Sequence, residues 1–254
     1  MQSTASKAAA RVADLVAAAQ RHLTARVAAA PVIERPFPHI LVDGILPDDL
    51  YSLLLASLPA AGDLPTLLGT GRVMDGYPEE RRVLELYPAK IQALPARIRG
   101  FWEALGPMIR SPAVAHAIAR RFRPQIAARF PDGLDAVSVD AVYCEDAVRY
   151  ALPPHTDAQR KVVTALIYLP DRPGQEHLGT TLYEPVAPGF RCPGGPHHPR
   201  ADFRVVATMP YRPNTMFGFA KSDRCFHGVE PVAEADLFRR VLIVNVNKAR
   251  QPAG

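Results

Sequence analysis

The tightest constraint on the fold is a series of short apolar runs that fills the C-terminal half of the chain. Lys161-Val-Val-Thr-Ala-Leu-Ile-Tyr-Leu169 is nearly continuous apolar and β-branched, which predicts a buried strand. Val137 to Cys144 alternates apolar residues and reads as another. Asn214–Phe219 and Phe226–Val232 read as two short strands around a turn at Lys221-Ser-Asp-Arg224, and Arg239–Val246 closes the set. Short strands of this kind bury their faces by converging in one β-barrel or sandwich. With 48% hydrophobic residues in 254, the chain can fill a substantial core.

Three residues of metal-ligating type stand at the ends of these runs: His155, Asp157 and His227. At i and i+2 on a strand end, His155 and Asp157 point to the same side. Two imidazoles and one carboxylate on one face of a metal leave the opposite positions open, the donor set of a non-haem Fe(II) oxygenase. Twelve residues after His227 comes the pair Arg239-Arg240, a source of bidentate cations for an acid group held near such a metal. Strand alternation lets only one of these neighbours face inward.

The stretch from about Val137 to Asn247 resembles the double-stranded β-helix (jelly-roll) core of the Fe(II)/2-oxoglutarate-dependent dioxygenases, particularly the prolyl-hydroxylase-like branch. Arg35-Pro-Phe-Pro-His-Ile-Leu-Val-Asp-Gly-Ile-Leu-Pro47 is similar to the lead-in strand of bacterial members, so the likeness spans roughly residues 35 to 247. The resemblance implies a mainly β (α+β) fold with packed N-terminal helices, and His155, Asp157 and His227 as iron ligands. It implies Arg239 as partner of the distal carboxylate of 2-oxoglutarate, with Arg240 as its rival. Tyr168 matches a tyrosine that assists there in several members; it reads equally as a core aromatic whose hydroxyl finds another partner. The implied cofactors are Fe(II) and 2-oxoglutarate, with ascorbate in support, and the implied reaction is hydroxylation of a C–H bond with release of succinate and CO2. Asp157 fits hydroxylation or desaturation, because halogenases of the family lack this carboxylate. One departure concerns the family's Arg-x-Ser pair, which reads Arg239-Arg-Val241 here and lacks the serine.

Upstream, residues 1–34 read as an N-terminal amphipathic helix, its first 30 residues Ala-rich with Lys7, Arg11, Arg21, Arg26 and one acid, Asp14. Its composition overlaps that of transit peptides, but a helix packed on the core is the preferred reading. Residues 35–254 form one expected domain, with helical support over 47–130 and the jelly-roll core over 135–248. A helix opens at Pro47-Asp-Asp, and two more are expected between Tyr87 and Phe130, broken near Ser111-Pro112, with Trp102 and Phe122 on their packing faces. Pro185–Arg200 is a long irregular segment and the candidate lid over a substrate; His197 and His198 within it, like Lys161 and Arg149, read as solvated.

Composition excludes several function classes. No apolar run approaches 20 residues, so no membrane span is expected. Cys144, Cys192 and Cys225 are odd in number and widely spaced, which argues for a reducing compartment, taken as cytoplasmic. The net charge is +5, but the 30 Lys and Arg are dispersed, so nucleic-acid binding is not indicated and a small-molecule or peptide substrate fits better. The oligomeric state is not legible. Two rival readings are a cupin-like metalloenzyme that takes no 2-oxoglutarate, and an inactive jelly-roll binding module.

Overall fold

Prolines set the punctuation of the N-terminal half. The computed structural model describes residues 4–60, 63–71, 73, 77–134, 136–233 and 237–249. Helix α1 (Thr4–Ala29) is followed by strand β1 (His39–Asp43), helix α2 (Asp48–Ala56) and strand β2 (Arg81–Glu85). The start of the expected 1–34 helix, residues 1–3, and the tail 250–254 lie outside the described residues. Between Tyr87 and Phe130 the two expected helices are four: α3 (Pro88–Gln92), α4 (Ala96–Ile109), α5 (Pro112–Arg121) and α6 (Arg123–Arg129). Each begins at or beside a proline, whose fixed φ suits a first helical turn and whose missing N–H stops the turn before it. The break at Ser111-Pro112 is where the sequence puts it, and the Ser111 hydroxyl caps α5 by accepting from Val114 N at 3.3 Å.

Eight antiparallel strands follow: β3 (Val137–Asp146), β4 (Leu152–His155), β5 (Lys161–Tyr168), β6 (Thr181–Pro185), β7 (Phe203–Thr208), β8 (Thr215–Ala220), β9 (His227–Val229) and β10 (Arg239–Lys248). They divide four and four, β8-β5-β10-β3 in one sheet and β4-β9-β6-β7 in the other, which is a double-stranded β-helix; β1 and β2 extend the larger sheet at its two edges. Helix and strand shares are similar, 32% and 28%, and the sheets are antiparallel, in keeping with the expected α+β jelly roll and its packed helices.

The larger sheet has two faces with different duties. Its outer face is roofed by helices: Val16, Ala19, Leu23 and Val27 of α1, Trp102 and Leu105 of α4, and Val114 and Ile118 of α5 share one buried cluster with Tyr143, Leu242 and Val244. Arg121 donates to Ala30 O at 2.5 Å, and His22 bonds Gly44 O at 2.8 Å, tying α1 to the body. Among the described residues no helix is long and apolar enough to cross a membrane. The inner face looks across at the smaller sheet and lines the site. Trp102 is fully buried, packs 5.7 Å from the Tyr143 ring and donates to Ser57 O at 2.7 Å. Trp102→Ala is therefore expected to cost roughly 3–5 kcal/mol of stability, measured by urea denaturation, because it opens a cavity and strands the Ser57 carbonyl.

Candidate metal centre and its cavity

β4 ends in His155 exactly opposite the residue that opens β9, so antiparallel register brings His155 and His227 face to face, their ring centroids 4.4 Å apart. The strands approach this closely because Gly228 has no side chain; a Cβ there would collide with the Leu152 carbonyl oxygen. Asp157 lies in the turn just after β4. One donor atom from each of His155, Asp157 and His227 falls within 4.8 Å of the others, and all three side chains are buried.

Hydrogen bonds aim these donors. His155 Nδ1 bonds Pro153 O at 3.0 Å and His227 Nδ1 bonds Cys225 O at 2.8 Å, which places the proton on Nδ1 and the lone pair on each Nε2. Burial, and then the neighbouring His227, push His155 well below the usual imidazole value; burial likewise lowers His227. Burial alone would raise Asp157, but Lys161, His227 and His155 outweigh it and hold the carboxyl well below its usual range. Lys161 Nζ lies 2.7 Å from Asp157 Oδ1, and Thr164 Oγ1 donates to Oδ2 at 2.6 Å. Two neutral imidazoles and one fixed carboxylate are the protonation states a divalent ion needs. Lys161, which the sequence suggests is solvated, is thus committed to the centre; that pairing is within one helical-turn spacing in sequence but arises here from a tight turn.

The centre opens on a cavity of about 540 Å³ between the sheets. Register writes its larger-sheet wall as cross-strand rows. Asp140, Asn245 and Thr164 form the row near Asp157; Val142, Ile243 and Leu166 form an apolar one; Arg81, Asp146 and Arg239 form the far one. Arg239 is fully buried. Its Nη1 bonds Asp146 Oδ2 at 2.8 Å and its Nε donates to Leu178 O at 2.5 Å, while Nη2 is buried without a partner. Arg240 points to the opposite face, toward Glu145 at 3.5 Å and Asp171 at 3.4 Å, and does not line the cavity. Alternation separates the two arginines as expected, with Arg239 inside.

Tyr168 is fully buried on the same face, and its hydroxyl is engaged twice by Thr180: it donates to Oγ1 at 3.0 Å and accepts from N at 3.2 Å. Thr180, not Tyr168, lines the cavity, and with its Oγ1 accepting from Tyr168 the threonine hydroxyl hydrogen is free to donate. Nothing in the sequence singles out Thr180 beyond its place in Gly179-Thr-Thr-Leu-Tyr183. Arg81 and Tyr77 are also wall residues that sequence reading missed; Arg81 opens a strand whose polar start hides it.

The segment 186–199 forms a fixed rim. Thr156 Oγ1 donates to Cys192 O at 2.8 Å, Cys192 N to Asp223 O at 2.9 Å and His198 N to Pro154 O at 2.8 Å. Gly194, at φ 123°, lies where a Cβ would strike the Asp157 carbonyl oxygen. His197 is exposed, as expected, but sits at the cavity edge with its ring 4.9 Å from that of His155. His198 is not solvated: it packs among Phe190, Phe203 and Phe226 with Nε2 buried and unpaired. Arg149 is exposed, at a turn.

No family model and no curated protein matches this chain. Solved structures do. A prolyl hydroxylase from Trichoplax adhaerens, in complex with a hypoxia inducible factor oxygen degradation domain peptide fragment, is similar over 98% of this chain and 94% of its own, with a TM-score of 0.52 and 12% identity. The non-heme alpha ketoglutarate dependent epimerase SnoN from nogalamycin biosynthesis is similar over 92% of this chain and 84% of its own, with a TM-score of 0.52 and 14% identity. At these identities the likeness is one of fold, and it agrees with the jelly roll traced above.

Replacing His155, Asp157 or His227 by Ala is expected to weaken Mn(II) or Fe(II) binding by more than the roughly 10–100-fold that loss of an outer partner costs. Calorimetric titration of metal into each folded variant measures this, and wild-type affinity in one of them would remove that residue from the ligand set.

Proposed function

We propose that this chain is an Fe(II)- and 2-oxoglutarate-dependent oxygenase that hydroxylates a C–H bond of a small molecule or peptide side chain. The observation that carries the reading is one cavity with two matched ends: a buried His155–Asp157–His227 donor set, and a buried guanidinium, Arg239, with Nη2 unsatisfied. An orphaned cationic donor inside a fold is costly unless something arrives to meet it, and the second acid group of 2-oxoglutarate carries the complementary charge.

His155 and His227 would hold the iron through Nε2 and Asp157 through a carboxylate oxygen, with Lys161 and Thr164 keeping that carboxylate oriented. Arg239 would take the distal carboxylate of 2-oxoglutarate, with the Thr180 hydroxyl as second donor in place of the serine absent from position 241. Tyr168 then acts through Thr180. Val142, Leu166 and Ile243 form an apolar stretch between the two ends that excludes water from the reacting groups. Bound iron and 2-oxoglutarate would together supply the oxidation, with succinate and CO2 as co-products. Substrate would enter past Tyr77, Arg160 and His197 at the open side.

The neighbours at TM-score 0.52 include a hydroxylase and an epimerase, so the likeness does not choose the reaction; the intact Asp157 favours hydroxylation or desaturation over halogenation. The unsatisfied Nη2 of the buried Arg239 favours this reading over a cupin-like metalloenzyme that needs no such cation. Three free, buried cysteines fit a reducing, cytoplasmic setting in which Fe(II) stays reduced.

Succinate formation from 2-oxoglutarate with Fe(II) and O2, across a panel of candidate substrates, tests the activity; absence of succinate under all conditions argues against it. A sharper result is expected from the arginine pair. Arg239→Ala should weaken 2-oxoglutarate binding by roughly 2–5 kcal/mol, about 30- to several-thousand-fold, and Arg240→Ala should leave it nearly unchanged. Titration of 2-oxoglutarate into both variants gives the ranking, and the reverse order would transfer the role to Arg240.

A further inference from the structure

Two guanidiniums share the single carboxylate of Asp146, and they share it unequally. Arg81 takes both oxygens, Nε to Oδ1 at 2.6 Å and Nη2 to Oδ2 at 2.9 Å, whereas Arg239 makes one bond, to Oδ2. Arg81 Nη1 donates to Tyr77 Oη at 3.2 Å, and its guanidinium lies 4.4 Å over the Tyr150 ring. Each Arg81 nitrogen thereby has a partner, with three of its five N–H donors engaged and both Asp146 oxygens taken. All three ionic side chains are at most 7% exposed, and the row carries a net charge of +1.

We propose that Arg81 is a positioning residue for the distal acid of the cosubstrate: by occupying both oxygens of Asp146 it prevents that carboxylate from closing on Arg239. The inference rests on the 2-oxoglutarate reading above. Without Arg81 the row would be electrically neutral, and Asp146 would be free to take Nη2 of Arg239 in addition to Nη1, the one nitrogen left for an incoming anion. With Arg81 in place, Asp146 orients Arg239 but leaves its charge uncancelled. This explains why β2, an edge strand outside the eight-stranded core, brings an arginine into the innermost row of the cavity.

The test is calorimetric titration of 2-oxoglutarate into the Mn(II)-loaded full chain, with 2-oxobutanoate as reference, since it keeps the 2-oxo acid but lacks the second carboxylate. Arg81→Met should weaken 2-oxoglutarate roughly 10- to 100-fold and leave 2-oxobutanoate within about twofold. The double variant R81M/D146N removes the guanidinium and the carboxylate together and returns the row to +1. It should recover 2-oxoglutarate affinity to within about threefold of wild type. Thermal melts report whether each variant is folded; should Arg81→Met not fold, the double variant decides alone. Equal losses for both ligands, or no recovery in the double variant, would overturn the proposal, since both outcomes describe a general structural role. A wild-type chain that binds neither ligand would instead overturn the cosubstrate reading, and this proposal with it.

Discussion

A fully buried carboxylate needs compensation, and Asp146 is where this fold supplies it from both sides. Burial without partners would be prohibitive for any one of Arg81, Asp146 and Arg239. Three strands, β2, β3 and β10, must hold a single register for the row to form, because a slip of one residue would send all three charges to the helical face. That opposite face carries its own row, Arg82, Glu145 and Arg240, so the neighbouring arginines at 239–240 and 81–82 are two back-to-back cross-strand rows rather than one basic patch. Register, the position of the cationic end of the cavity and the extension of the larger sheet are therefore one structural fact.

The other end of the cavity follows the same logic with a different ion. Asp157 is balanced by Lys161 and bonded by Thr164, so its carboxylate is charged and immobile beside two imidazoles whose Nδ1 atoms are fixed by backbone carbonyls. The donors sit in the smaller sheet and the turn after it; the groups that steady Asp157 sit in the larger one. Closing the two sheets assembles the centre, and the tethered rim at 186–199 keeps one side of it shut.

What the sequence reveals is what local pattern can encode. Strand β5 is legible because it is buried on both faces and so written in nearly continuous apolar residues, and β3 and β10 because apolar residues recur along them; His155, Asp157 and His227 are legible because a strand end fixes their relative direction. The inward choice of Arg239 over Arg240 follows from alternation alone. Partnerships made over long separations leave no such trace. Arg81 meets Asp146 across 65 residues, and Tyr168 surrenders its hydroxyl to Thr180 only because β6 crosses to the facing sheet. Lys161 and His198 look like solvated polar residues until a turn brings one to Asp157 and an aromatic cluster encloses the other. The helical region holds four helices where the sequence suggests two, because each proline there both ends one helix and begins the next.

The central claim is that the triad and Arg239 are two ends of a single ligand site. Measuring 2-oxoglutarate affinity with and without Mn(II) tests it most directly, since a ligand that spans the cavity gains from both ends at once. Affinity that rises at least roughly tenfold when metal is present, and is lost again in Asp157→Ala, is the predicted result. Affinity that is the same with and without metal would contradict it, because the acid-binding wall and the metal centre would then be separate sites.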